Sequence, residues 1–159
     1  MRKSAKKQIL TVSILAMVSI VASIAYSHCQ IPCGIYDDEA RFGEIAEHIT
    51  TIEKSMKEIE RLSAEAKPNM NQIVRWVNNK ENHADELSEI VTYYFMAQRV
   101  KLPAEGDTKA QDEYVRQLTL LHRMLVYSMK AKQTTELANV EQLKSLLNEY
   151  HKVYFGESG

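Results

Sequence analysis

Large apolar residues recur at steps of three and four along most of this chain, in four separate runs, and no run alternates as a strand would. The first is Phe42, Ile45, Ile49, Ile52, Met56, Ile59 and Leu62, with Glu47, Lys54, Lys57, Glu58 and Arg61 on the opposite face. Asp37-Asp38 offers it an N-cap and favourable charge, and Lys67-Pro68-Asn69 ends it. The second runs from about Asn71 to Arg99, with a stripe of Ile73, Val77, Ala84, Leu87, Val91 and Tyr94. Pro103, Gly106 and Asp107 break the chain again. The third spans Thr108 to Lys132, with Tyr114, Leu118, Leu121, Leu125 and Met129 on one face. Thr134-Thr135 can cap a fourth, whose stripe is Leu137, Val140, Leu143, Leu147, Tyr150 and Tyr154. Four amphipathic helices joined by short polar loops predict an all-α, antiparallel four-helix bundle. Trp76, the lone tryptophan, reads as a packing residue.

Residues 1–27 have a different character. Arg2, Lys3, Lys6 and Lys7 form a basic start, Ile9 to Ala25 is uncharged and mostly apolar, and Ala25-Tyr26-Ser27 places small residues at −3 and −1 of a cut before His28. That is the order of a secretory signal peptide, which a signal peptidase removes. The expectation is an exported protein, periplasmic or extracellular, with no stable membrane association once cleaved. The apolar run is long for a signal and short of the ~20 residues of a membrane span, so an uncleaved anchor is the rival reading. His28, rather than a small residue, precedes Cys29, which argues against a lipoprotein.

Cleavage leaves residues 28–159 as one domain, large enough to bury a core without staples. It carries 16 Lys and Arg against 21 Asp and Glu, a formal charge of −5. A nucleic-acid partner needs a basic face, so none is expected. Residues 37–159 hold the bundle; residues 28–36, His-Cys-Gln-Ile-Pro-Cys-Gly-Ile-Tyr, hold both cysteines of the protein.

A C-x₃-C pair in an exported protein is often a disulfide. A cut before His28 opens another chemistry. The free α-amine, the His28 imidazole and the thiolates of Cys29 and Cys33 then lie within six residues, and the Cys29 amide can lose its proton inside a chelate ring. Two nitrogens and two sulfurs in a plane suit a square-planar ion such as Ni(II) or Cu(II), with imidazole approaching axially. Pro32 and Gly34 let the chain turn back on itself.

His-Cys-x-x-Pro-Cys-Gly-x-Tyr at a processed N-terminus resembles the hook of the nickel superoxide dismutase family, and a weaker resemblance extends over the mature chain. The resemblance implies one nickel ion per subunit, held by the His28 amine, the Cys29 amide and the thiolates of Cys29 and Cys33, with the His28 imidazole joining in the oxidised state. It implies disproportionation of superoxide to oxygen and hydrogen peroxide through a Ni(III)/Ni(II) cycle, and a homohexamer of four-helix bundles. Thiolate and deprotonated amide donate strongly, which brings the nickel couple into the range of superoxide.

The same resemblance assigns supporting residues. Glu44 stands sixteen residues after His28, where the family places the glutamate that orients the imidazole. His83 stands where known members carry an arginine that completes this network, so it either donates to Glu44 instead or weakens the network. Tyr36 and Tyr94 match tyrosines lining the approach to the metal. Gln30 replaces a common acidic residue, whose role does not transfer. Lys80, Arg99 and Lys101 are candidates for local attraction of the anion. His48, His122 and His151 show no ligand spacing to one another and read as ordinary helix positions. No P-loop, dinucleotide fingerprint or catalytic triad pattern is visible.

Two rivals share part of this pattern. A metal-delivery module would use the hook without Tyr36, Glu44 or turnover. A membrane-anchored interaction protein would keep residues 1–27 and join Cys29 to Cys33 as a disulfide.

Overall fold

The computed structural model describes residues 36–156. The expected signal peptide and cleavage site, and the hook residues His28, Cys29 and Cys33, lie outside the described residues. Among the described residues the chain is four helices with no strand. Helix α1 spans Asp38–Ser63, α2 Met70–Glu89, α3 Thr108–Gln133 and α4 Leu137–Phe155. A π-helical segment, Ile90–Arg99, directly continues α2.

Each start follows local chemistry. Asp37, Asn69 and Asp107 cap the first three helices, each side chain accepting a backbone N–H three residues on. The fourth differs from expectation. Its N-cap is Glu136, which makes no side-chain cap bond, while the Thr134 hydroxyl accepts from the Glu136 N–H and the Asn139 amide. Gly106 turns the loop before α3 at φ 84°, a conformation a side chain disfavours.

Cross-helix pairs fix the direction of packing. Asp38 meets Arg99, His48 meets His83 and Ser55 meets Asn79, so α1 and α2 run antiparallel. Ser128 meets Ala84 and Lys80 meets Lys132, which orients α3 against α2. Asp38 with Tyr154 and Glu53 with Lys144 orient α4 against α1. With α3 also packed on α4, this is an antiparallel four-helix bundle.

The α1 stripe is buried at every expected position, from Phe42 to Leu62. At about 1.5–3 kcal/mol per fully buried large apolar side chain, that stripe alone is a major part of the driving force. The α3 face is rotated from expectation. Leu120, Leu121, Met124, Ser128 and Ala131 face the core, while Met129 is 50% exposed. Ser128 explains the rotation. Its small side chain lets α2 approach, and its hydroxyl donates to the Ala84 carbonyl while accepting from Ser88. On α4, Leu146 joins the core and Leu137 is 40% exposed.

Trp76 is half-buried on α2, with the Lys54 ammonium 5.8 Å from its ring. No helix among the described residues is long and apolar enough to cross a membrane.

Candidate active site

The π-helical turn shapes one end of the bundle. The run Ile90-Val91-Thr92-Tyr93-Tyr94-Phe95 is β-branched and aromatic throughout, and such residues crowd the preceding turn of an α-helix. The wider turn relieves that crowding and closes with Val100 N–H donating to the Phe95 carbonyl, five residues back, at 2.9 Å. It also changes which side chains share a face. Residues five apart point roughly 140° apart on an α-helix, yet Tyr94 and Arg99 reach the same carboxylate here.

That carboxylate is Asp38, in the first turn of α1. Tyr94 O–H donates to Oδ1 at 2.6 Å, and Tyr154 O–H to Oδ2 at 2.8 Å. Arg99 donates from Nε to Oδ1 at 2.9 Å and from Nη2 to Oδ2 at 2.7 Å, and its Nε lies 3.0 Å from the Tyr154 hydroxyl. Burial pushes the Asp38 carboxyl up, but the bonds from Arg99, Tyr94 and Tyr154 together outweigh it and hold it below the usual carboxylate range. Burial and the Asp38 charge push the Tyr94 phenol up to about 12, so it stays protonated at neutral pH.

Tyr36 packs on this cluster. Its ring meets Tyr94 edge-on at 6.0 Å between centroids, and the Arg99 guanidinium lies 4.4 Å from its centre. The Arg41 guanidinium lies 5.2 Å from the Tyr94 ring and donates to the Glu44 carboxylate at 2.6 Å. So Tyr36, Tyr94 and Glu44 belong to one contact network, joined through Asp38, Arg99 and Arg41. Beside it opens a groove of about 520 Å³ lined by Arg99, Lys101, Glu113, Tyr114 and Tyr154, among others.

His83 takes a different partner from Glu44. Its Nδ1 lies 2.8 Å from Nδ1 of His48, one α1 turn beyond Glu44, and Glu86 lies 3.4 Å from both rings. Lys80 is not available to attract an anion. It is 3% exposed, and its ammonium donates to the carbonyls of Ala131, Lys132 and Thr134 at 2.7, 2.6 and 3.0 Å. Arg99 is neutralised by Asp38, and Lys101 is exposed at the groove.

Local pattern alone marks Asp38 only as a helix-start residue and Tyr154 only as part of the α4 stripe, and singles out no role for Arg41. An i, i+3 match of Arg41 to Glu44 was legible; the meeting of Asp38 with Arg99, 61 residues on, was not. His48 stands four residues after Glu44, a spacing that places both on one face of α1.

A small all-α bundle that follows, in sequence, a motif bearing two thiols and an imidazole has the make-up of a small helical metalloprotein. The sequence model of nickel-containing superoxide dismutase matches residues 23–158, and the chain belongs to that family. It is a nickel-dependent enzyme that converts superoxide to oxygen and hydrogen peroxide. The search of curated proteins returned no match, nor did that of solved structures.

Proposed function

We propose that catalysis takes place at the hook His28–Tyr36, after cleavage before His28 has freed its α-amine. The donor set fits nickel. The His28 amine and imidazole, the deprotonable Cys29 amide and the thiolates of Cys29 and Cys33 are the strong nitrogen and sulfur donors that nickel favours, and they would hold the ion. Nickel bound there would supply the one-electron couple needed to convert two superoxide ions and two protons to oxygen and hydrogen peroxide.

The chain's own residues then have defined tasks. His28, Cys29 and Cys33 hold the ion. Glu44 orients the His28 imidazole, as the family resemblance implies, and Arg41 holds the Glu44 carboxylate in place. Tyr36 and Tyr94 wall the approach and limit what reaches the metal. Tyr94 donates its proton to Asp38 and keeps it at neutral pH, so it acts here as a wall and not as a proton source. His83, bound to His48, supports α1 beside Glu44 without replacing the family arginine. One observation carries this reading: Tyr36, the last hook residue, is fixed between the Tyr94 edge and the Arg99 face.

We place the mature enzyme outside the cytoplasm, as a homohexamer with one nickel per subunit. The signal-like residues 1–27 support export, and the family resemblance supports the hexamer. Export exposes free thiols to oxidation, so nickel loading has to accompany cleavage or precede oxidation.

The test is N-terminal sequencing and metal analysis of one purified sample. His28 as first residue with one nickel per chain is expected; any other first residue removes the amine ligand and overturns the reading. Cys29→Ser and Cys33→Ser should each abolish nickel retention and superoxide removal while helical content stays. Full nickel and activity in either variant would sink the assignment. Sedimentation of the loaded enzyme checks the hexamer.

A further inference from the structure

Two histidines and a glutamate, none of them among the hook's donor residues, converge on the flank of the bundle. His48 projects from α1, and His83 and Glu86 from α2, three residues apart and hence on one face. Nδ1 of His48 and Nδ1 of His83 are 2.8 Å apart, and each is 3.4 Å from the same Glu86 oxygen. Both imidazoles are half-buried and Glu86 is exposed.

We infer that His48, His83 and Glu86 form a second cation site, which binds a borderline divalent ion of the zinc class and ties α1 to α2. Geometry is the first argument. A triangle with sides of 2.8, 3.4 and 3.4 Å has a circumscribed radius of about 1.9 Å, just under the ~2.0–2.1 Å of zinc–nitrogen and zinc–oxygen bonds. An ion set slightly out of the ligand plane therefore reaches all three atoms with the side chains where they stand. Glu86 is exposed, so the cluster is open to solvent on that side.

Chemistry is the second argument. Two imidazoles and one carboxylate are the donor set of open zinc sites, and neutral Nδ1 lone pairs suit zinc or copper better than magnesium or calcium. Without an ion, two facing Nδ1 atoms must share one proton, since one has to donate and the other accept. An ion replaces that proton and engages both lone pairs. Glu86 balances part of its charge, and the Glu44 and Glu47 carboxylates also act on His48.

The third argument is placement. Ser55–Asn79 and Asp38–Arg99 pin the α1–α2 register on either side of the cluster, so the ligands come from a fixed scaffold. A bound ion adds a cross-link between residues 35 apart in sequence.

The test starts from nickel-loaded mature enzyme, titrated with Zn(II) and assayed for both metals. One zinc per chain with nickel content unchanged, and a higher melting temperature, are expected; no uptake beyond the nickel overturns the inference. Glu86→Gln, at an exposed position that should not disturb folding, is expected to weaken zinc binding by about 10–100-fold or more, since losing a direct ligand exceeds losing an outer-shell partner. His48→Phe is expected to remove it. Zinc uptake equal to wild type in both variants also overturns the inference. Co(II) added as a spectroscopic probe should lack the thiolate charge-transfer absorption that Cys29 and Cys33 would give; its presence would assign the extra ion to the hook and sink the site.

Discussion

Arg99 grips Asp38 with two nitrogens, Nε to Oδ1 at 2.9 Å and Nη2 to Oδ2 at 2.7 Å. The pair joins the last residue of the π-helical segment to the first turn of α1, and Tyr94 and Tyr154 complete the carboxylate's bonding. Because Arg99 also stacks on Tyr36, the ion pair holds the ring that ends the hook.

Asp38→Asn should lower stability by about 2 kcal/mol, because it leaves a partly buried guanidinium without its counter-charge. Urea unfolding at neutral pH measures this; a loss under ~0.5 kcal/mol would show the pair to be idle. The pH dependence follows from the two shifts. With its folded value below 3.8, Asp38 contributes stability that is present above that value and is lost as pH falls below it. Tyr94, raised from 10 to about 12, contributes stability present below pH 10 and lost as pH rises toward 12. Tyr94→Phe should shrink the alkaline arm without abolishing it, since Tyr150 and Tyr154 are also pushed up, and a thermal melt series would read the change.

Tyr150 is fully buried, and its hydroxyl has no hydrogen-bond partner among the described residues. An unpaired buried hydroxyl is a penalty of about 1–3 kcal/mol. Tyr150→Phe keeps the ring among Phe42, Phe95 and Tyr154 and removes that penalty. The variant should melt at the wild-type temperature or above it. A clear drop would mean the hydroxyl is bonded after all.

The rotation of α3 is tested by two methionines five residues apart. Met124→Ala opens a core cavity and should destabilise by about 2–4 kcal/mol, whereas Met129→Ala, half exposed, should stay within ~0.5 kcal/mol. Equal losses in denaturant unfolding would restore the face expected from periodicity.

Lys80 closes the far end of α3 by donating to three carbonyls there and in the loop that follows. Lys80→Met fills similar volume but leaves those carbonyls without their charged donor. A loss of about 2–3 kcal/mol is expected. Superoxide removal at low salt should change little, since a buried ammonium cannot draw in an anion; a large fall in rate with unchanged stability would return Lys80 to the steering role.

The motif of residues 28–36 is legible in the sequence because it is local. Two thiols, an imidazole and a turn within nine residues need no tertiary contact to be recognised. The four helices were legible for the same reason, since apolar steps of three and four and capping side chains act over one or two turns. On α1 they also gave the buried face, because Phe42 to Leu62 contains no rival stripe. On α3 two apolar stripes compete, and the choice went to the one whose small Ser128 admits a neighbouring helix.

Which polar groups of different helices meet was decided only by the tertiary structure. Nothing local says that Lys80, a charged residue in an amphipathic run, buries its ammonium in the end of another helix. Nor does it say that His83 meets His48 or that Asp38 gathers Tyr94, Arg99 and Tyr154. Those meetings depend on antiparallel register and on the π-helical turn, which brings residues five apart to one face. Sequence periodicity fixes which side of a helix is apolar. Packing decides which polar groups on two different helices come within 3 Å, because that distance is set by how the helices are staggered and not by the residues themselves.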